Sequence, residues 1–398
     1  MSGGPARYES CSSANMSSRA KPLAFALLGL LALSTVGIAC SGSSSDDLTA
    51  GIPAEAGAVV DAAITGDDAA ASVDAGSDAA VESTAIVAPN DAWTWVDFPE
   101  SKCASGTPTG IGVNPHAGAD DVLIYLEGGG ACANAATCWG ANPAAANVAG
   151  YDATVFATAK QRAYPALSRT LAANPFGALN MVYVPYCTGD MHAGTKETDL
   201  VVNGVPKPTY FWGARDLDIF LARLVPTFPA AKRIWLLGTS AGGFGTVLVY
   251  SHVVAAWSAR VDILDDSGPA IVAKSANDNA GSFSAWGFVP PAGCTGCTSH
   301  AAVLAFDRAL QPQSRYGFLS FSEDTVISKD FGYTLDEYPG VLAAFFQSSL
   351  ANDANAKTFV VTTKQSHVVE SDPASAIGYL PWMTKMKNDD PSWASESH

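Results

Sequence analysis

Basic residues are scarce in this chain: 22 Lys and Arg stand against 38 Asp and Glu, giving a formal charge of −16, and no basic run occurs. Proteins that grip nucleic acid do so by neutralising phosphates with Lys and Arg, so nucleic acid is not an expected partner. Charged residues of both signs make up only 15% of the sequence, too few for a coiled coil or a solvated, disordered chain. Histidine is rarer still, six in 398 residues, so each candidate base can be weighed by name. What is plentiful is apolar: 48% of residues are hydrophobic, with 9 Trp, 12 Tyr and 17 Phe, enough to bury a large core.

The scarcities are unevenly placed. Residues 41–90 have no aromatic residue and no Lys or Arg, only nine carboxylates among Ala, Ser and Gly. Such a segment buries too little surface to offset the entropy of ordering, and a disordered acidic tether is expected over 41–90. Ahead of it, Arg19 and Lys21 precede an apolar stretch from Pro22 to Ala39 that ends at Cys40. A charged n-region, an apolar h-region and small residues before a cut define a signal peptide, expected here over residues 1–40, whether the chain starts at Met1 or at Met16. Cys40 followed by Ser41 resembles the lipobox of bacterial lipoproteins, although Gly37 stands where that box usually carries a larger apolar residue. Cys40 is therefore the expected lipidation site, and the expected location is the bacterial cell envelope, as an outer-membrane lipoprotein or a secreted protein. A retained membrane span is the alternative, for which eighteen residues interrupted by Gly29, Ser34, Thr35 and Gly37 are short.

From residue 91 to 398 the pattern is that of one globular domain. Asp121–Glu127, Asn180–Pro185, Lys232–Gly238, Arg260–Asp265, Arg315–Phe321 and Lys357–Thr362 are short, nearly continuous apolar runs, as expected of parallel strands covered on both faces. Between them Leu217, Phe220, Leu221 and Leu224 recur at helical spacing, with similar segments at 243–257, 298–310, 339–350 and 374–386. This alternation predicts an α/β fold, a mostly parallel sheet with helices on both faces.

Gly238-Thr239-Ser240-Ala241-Gly242 lies between the run ending at Leu237 and the apolar helix that follows. A G-x-S-x-G turn from strand to helix is the nucleophile elbow, whose glycines permit a bend that side chains would block. A serine hydroxyl needs a base, and the base needs an acid to hold its tautomer. Of the histidines after Ser240, His252 belongs to the elbow helix, His300 neighbours Cys297 and His398 ends the chain; His367, five residues beyond a strand, is the expected base. Asp324, directly after another strand, is the expected acid, ahead of Glu323, Asp330, Asp265 and Asp266. Leu126-Glu127-Gly128-Gly129-Gly130-Ala131-Cys132 can present bare backbone N–H groups, so an oxyanion hole is expected from Gly129 and from Ala241, the residue after the nucleophile. No cofactor is called for.

Together these segments resemble the pectin acetylesterase and Notum family of α/β-hydrolases, over most of residues 93–385. Residues 126–132 look like that family's Leu-Glu-Gly-Gly-Gly-Trp-Cys segment and residues 183–194 like its Tyr-Cys-x-Gly-Asp segment; Gly238–Gly243 and Asp266-Ser267-Gly268 match as well. The resemblance implies a serine esterase that deacetylates a polysaccharide through Ser240, His367 and Asp324 and an acyl-enzyme. It also places Gly130, Tyr186, Asp190, His192 and Trp212 beside the substrate. Ala131 stands where the plant esterases have Trp, and no aromatic residue occupies Gly130 where Notum has one, so the acyl pocket differs from both. The expected substrate is an acetylated saccharide or small ester, with a neutral glycan better suited than polyanionic pectin to a domain of net charge near −9. A broader lipase or polyester hydrolase and a non-catalytic surface-binding lipoprotein are the competing readings.

Setting aside Cys11 and Cys40, six cysteines remain, an even number that in an oxidising compartment means disulfides. The resemblance implies Cys103 with Cys187 and Cys132 with Cys138, leaving Cys294 with Cys297. Cys294, Cys297 and His300 also have the spacing of metal ligands, the lesser alternative because thiols oxidise outside the cell.

Overall fold

Each of the six apolar runs forms a strand. The computed structural model describes residues 84–274, 277–351 and 353–398, apart from the side chains of 277–281 and 373–377. The expected signal peptide, Cys40 and the tether as far as residue 83 lie outside the described residues. The strands are β1 (Thr94–Phe98), β2 (Thr109–Asn114), β3 (Val122–Leu126), β4 (Asn180–Val184), β5 (Lys196–Val202), β6 (Val205–Phe211), β7 (Arg233–Thr239), β8 (Arg260–Asp266), β9 (Tyr316–Asp324), β10 (Ala356–Ser366) and β11 (Glu396–Ser397). Nine of them form one sheet in the order β1-β2-β4-β3-β7-β8-β9-β10-β11, while β5 and β6 pair as a separate hairpin. From β4 to β11 every neighbouring pair is parallel; β2 runs antiparallel to both β1 and β4.

Burial of both sheet faces explains why the strands read as unbroken apolar runs. On β3, Val122, Ile124 and Leu126 enter one core with Leu217, Phe220, Leu221 and Leu224 of the helix Gly213–Thr227. Leu123 and Tyr125 enter a second core with Tyr379, Leu380, Trp382 and Met383 of the helix Pro373–Lys387. Ile234 and Leu236 of β7 face the first core, and Trp235 and Leu237 the second.

Several elements depart from the expectation. β1 and β2 escaped the pattern because two glycines dilute β2 and an aspartate interrupts β1. The β5–β6 hairpin is half-exposed and carries Pro206 and Pro208, tolerated because this small sheet is all edge. Its turn places Asn203 and Gly204 at φ of 51° and 80°, the left-handed pair that two-residue hairpins favour. The single helix expected over 243–257 is broken at Val249 into Ala241–Leu248 and Tyr250–Ala256. The tether also ends earlier than residue 90. Ile86 is buried in the first core with its N–H donating to Thr227 Oγ1 at 2.7 Å, and Arg223 Nε donates to the Thr84 carbonyl at 3.2 Å.

Candidate active site

In a parallel sheet, chemistry collects at the carboxyl ends of the strands. The adjacent strands β3, β7, β8, β9 and β10 deliver, at that one edge, the Glu127–Gly130 loop, Ser240, Asp266-Ser267, Asp324 and His367 in spatial order.

Ser240 has φ 53° and ψ −120°, a strained conformation for a residue with a side chain. The sharpness of the turn explains the flanking glycines. A Cβ on Gly238 would lie 2.0 Å from the Gly242 carbonyl oxygen, and one on Gly242 would lie 2.0 Å from that of Leu126. Ser240 N donates to the Asp266 carbonyl at 2.8 Å, which ties the elbow to β8.

Asp324 pairs in register with Ser366, so His367 begins its loop beside the acid. His367 Nδ1 lies 2.8 Å from Asp324 Oδ2 and 3.0 Å from Oδ1, and Oδ1 also accepts from the N–H groups of Val326 and Ile327 at 2.9 and 2.8 Å. A carboxylate so anchored holds the ring with its proton on Nδ1. His367 Nε2 is then left without a partner among the described residues, and no hydrogen bond joins it to Ser240. Glu323 turns away and accepts from Gln365 Nε2 at 2.7 Å.

The His367 loop is held from beneath by Asp266, weighed from the sequence as an alternative acid, and by Ser267. The Asp266 carboxylate accepts from Val369 N at 3.0 Å and Glu370 N at 2.7 Å. Ser267 Oγ lies 2.7 Å from the His367 carbonyl oxygen. Burial pushes the Asp266 carboxyl up to about 6 and the neighbouring Glu370 up to about 8, against hydrogen bonds that pull both down.

A cleft of about 450 Å³ opens over Ser240 and Ala241, bordered by Gly130, Ala131, Met191 and Phe244 and by Ile327, Lys329, Asp330 and Phe331. Ala241 opens the helix Ala241–Leu248, where N–H groups have no intrahelical partner. On the glycine loop, Gly130 borders the cleft with φ 75°, whereas Gly129 sits against the Tyr186 ring and its carbonyl accepts from Ala146 N at 2.8 Å.

The expected substrate-lining set is corrected. Gly130 borders the cleft, but Tyr186, Asp190 and His192 are buried beneath it and employed by the backbone. Tyr186 Oη accepts from Met191 N at 2.8 Å, and Asp190 accepts from Thr188 Oγ1, Gly194 N and Gly213 N. His192 Nε2 donates to the Glu127 carbonyl at 2.8 Å; burial lowers its pKa to about 4, so it is a neutral prop for the glycine loop. Glu127, likewise buried, is pushed up to about 7 and accepts from Tyr186 N at 3.1 Å. Trp212 stacks instead against Lys102 and Arg215, outside the cleft's lining. As cleft-lining residues, Met191, Ile327, Lys329, Asp330 and Phe331 were missed, Asp330 having been weighed only as an acid. The last four follow within seven residues of Asp324, and that proximity was the available signal.

All three implied disulfides are present: Cys103–Cys187, Cys132–Cys138 and Cys294–Cys297. The last removes the thiolates a metal would need. His300 packs between Phe244 and Phe283 with both ring nitrogens unpartnered among the described residues.

The sheet, its two helical layers and the strained serine turn define an α/β-hydrolase-like protein. Residues 92–285 match the family model described as pectinacetylesterase. A planarian relative, the palmitoleoyl-protein carboxylesterase NOTUM of Schmidtea mediterranea, is 34% identical over 131 residues, 32% of this chain and 23% of that protein's length. The solved structure of the Wnt deacylase Notum from Drosophila superposes with a TM-score of 0.57 at 17% identity, covering 76% of this chain and 95% of that one, which bears on the fold. Over residues 92–285, just under half of its length, the chain is thus similar to the pectinacetylesterases, and it shares its fold with Notum.

Proposed function

We infer that the protein is a serine carboxylesterase whose substrate is an acylated saccharide, in the first instance an acetylated one. The observation that carries this reading is the His367–Asp324 pair, its Nε2 unpartnered at the same sheet edge as the strained Ser240. His367 takes the Ser240 proton as Oγ attacks the ester carbonyl, and Asp324 stabilises the imidazolium. Backbone N–H groups of Ala241 and of the Gly129–Gly130 segment receive the developing oxyanion. The alcohol leaves with the proton from His367, and water releases the acyl group by the same steps in reverse. The three disulfides support export to an oxidising compartment, and the apolar stretch ending at Cys40 supports a lipid anchor as the only membrane contact. Among the described residues no helix is long and apolar enough to cross a membrane.

A cleft of about 450 Å³ walled by Phe244, Ile327 and Phe331 favours a second reading, in which longer acyl groups are accepted. Hydrolysis of p-nitrophenyl esters from acetyl to palmitoyl, beside Ser240→Ala, separates the two. Cleavage confined to short chains and abolished in the variant supports the acetyl reading; a maximum at longer chains supports the second. Absence of ester cleavage by the folded protein overturns both.

A further inference from the structure

Tyr125 and Thr239 meet beneath the catalytic edge of the sheet. Their hydroxyl oxygens lie 2.8 Å apart, both residues are buried, and neither hydroxyl has another hydrogen-bond partner among the described residues. β3 and β7 pair in register from Val122 with Ile234 to Leu126 with Gly238, so Tyr125 stands opposite Leu237 and shares a sheet face with Thr239, two residues further along β7. That face carries the second core, which Tyr125 and Leu237 enter together, and neither Tyr125 nor Thr239 borders the cleft.

The bond sits where the backbone ladder stops. Thr239 still pairs with Asp266 on β8, but on the β3 side the ladder ends at Gly238. The next residue is Ser240, held at φ 53° and ψ −120°, and such a conformation persists only while its surroundings over-determine it. Ser240 N donates to the Asp266 carbonyl at 2.8 Å and Phe244 N donates to the Ser240 carbonyl at 3.1 Å, which hold the elbow to β8 and to its own helix. Toward β3, the Thr239 hydroxyl supplies the hold. Three residues past Tyr125 the glycine loop meets the elbow: a Cβ on Gly128 would lie 2.2 Å from the Thr239 carbonyl oxygen and 3.0 Å from Ser240 Cβ. Nucleophile and glycine loop thus hang from two strand ends that this side-chain bond joins.

Cohesion of the core does not call for the pair. Phe and Val would fill the same space with no polar atom to satisfy, and exchanging both partners of a buried hydrogen bond for apolar groups of the same shape is close to neutral. What the hydrogen bond adds to packing is direction. Burial holds the Tyr125 phenol well above its ordinary pKa, so it remains a neutral hydroxyl through the neutral and mildly alkaline range. We propose that Tyr125 and Thr239 are positioning residues, whose bond sets the distance between Ser240 Oγ and the oxyanion donors of the glycine loop. They act through the backbone and touch no substrate. This rests on the esterase reading and adds to it the groups that keep nucleophile and oxyanion hole in one frame.

Tyr125→Phe, Thr239→Val and the double variant all remove the bond with little change of shape. Either single change strands a buried hydroxyl and the double leaves none, so the melting temperature should fall in the singles and recover by at least about half in the double. Positioning is read from the rate. With p-nitrophenyl acetate, kcat is expected to fall about tenfold in each single variant and to stay about tenfold down in the double, because the same bond is lost in all three, with KM within about twofold of wild type. Thr239→Ser, which keeps the hydroxyl, should hold kcat within about threefold of wild type. A double variant that regains wild-type kcat along with its stability, or variants that never leave wild-type kcat by more than about twofold, overturns the proposal. So does a loss of about a hundredfold in the double, which means that the two side chains act independently. Should a single variant fail to fold, the double and Thr239→Ser decide by the same measure. If the wild type cleaves no ester, the esterase reading fails by itself, and the rate at which a fluorophosphonate labels Ser240 tests the positioning in the same variants. Labelling about tenfold slower is then expected, and an unchanged rate overturns the proposal. A wild type that neither cleaves esters nor is labelled overturns both.

Discussion

Replacing Asp266 by asparagine tests whether the residues under the base loop set the geometry of the reaction. Asp266 is fully buried; its carboxylate holds Val369 N and Glu370 N, its carbonyl holds Ser240 N, and Ser267 beside it reaches the His367 carbonyl. An asparagine keeps one oxygen for one of the two loop N–H groups and turns its own N–H₂ toward the other. One charge-assisted bond is lost and a buried donor is left unmade, which costs about 2–4 kcal/mol and moves the 367–370 loop to relieve the clash. A shift of about 1 Å in a catalytic group can cost on the order of a hundredfold in rate. The expected result is a fall of about ten- to a hundredfold in kcat for p-nitrophenyl acetate at pH 8, with KM changed by less than about threefold because Asp266 touches no substrate. The rate of Ser240 labelling by a fluorophosphonate should fall in parallel while the labelled fraction stays complete, which separates a mis-set base from a misfolded protein. If kcat stays within about twofold of wild type while the melting temperature drops, these bonds serve the fold alone and the argument is wrong.

Three further outcomes follow from buried groups and cross-links. Asp307 is buried with neither carboxyl oxygen partnered among the described residues, and burial raises it to about 8. The native state thus holds a proton that the unfolded chain releases above its ordinary carboxyl range, and stability falls as pH rises from about 4 to 8. Urea denaturation of Asp307→Asn should show a flatter profile across that window; curves parallel to wild type would contradict the assignment. His300, lowered by burial to about 4, has the opposite sign: between about pH 4 and 6.5 the unfolded chain binds the proton and stability is lost as pH falls. His300→Phe, which preserves stacking on Phe244 and Phe283, should therefore raise the melting temperature more at pH 5 than at pH 8, and an equal shift at both would refute it. Cys103 and Cys187 are 84 residues apart, and the paired substitution Cys103→Ala with Cys187→Ala should cost about 2–5 kcal/mol by chemical denaturation. Opening Cys294–Cys297, only three apart, should cost markedly less because it closes almost no chain; equal costs would contradict the loop-entropy account.

The catalytic candidates were legible because each depends on the end of a readable strand. Apolar runs mark β3, β7, β8, β9 and β10, and parallel pairing of those strands in that spatial order brings their carboxyl ends together regardless of what lies between. Ser240, Asp324 and His367 needed only that rule and the elbow pattern. Tyr186, Asp190 and His192 misled because polar and aromatic residue types do not disclose direction. Met191 and His192 both take positive φ, 54° and 62°, and that bend presents Met191 to the cleft while folding the two polar neighbours underneath it. The Ile327–Asp330 helix, four residues long, carries no period to detect, so the wall it supplies was invisible to pattern reasoning.

The same contrast bears on what can differ among proteins with this site. The elbow and the candidate acid and base are pinned by sheet register and by glycines at which an added Cβ would lie about 2.0 Å from a carbonyl oxygen. The walls of the cleft come from a short helix, a disulfide loop and a pair of left-handed residues, none of which pairs with the central sheet. Substitutions at Ala131, Met191, Lys329 or Phe331 can therefore change the ester accepted while leaving Ser240, His367 and Asp324 in place, because the sheet bears none of the strain. Chain-length profiles of Phe331→Ala and Met191→Ala should shift toward longer acyl groups with unchanged fluorophosphonate labelling of Ser240. Loss of labelling in either variant would mean that the wall and Ser240 are mechanically one unit, contrary to the separation argued from the topology.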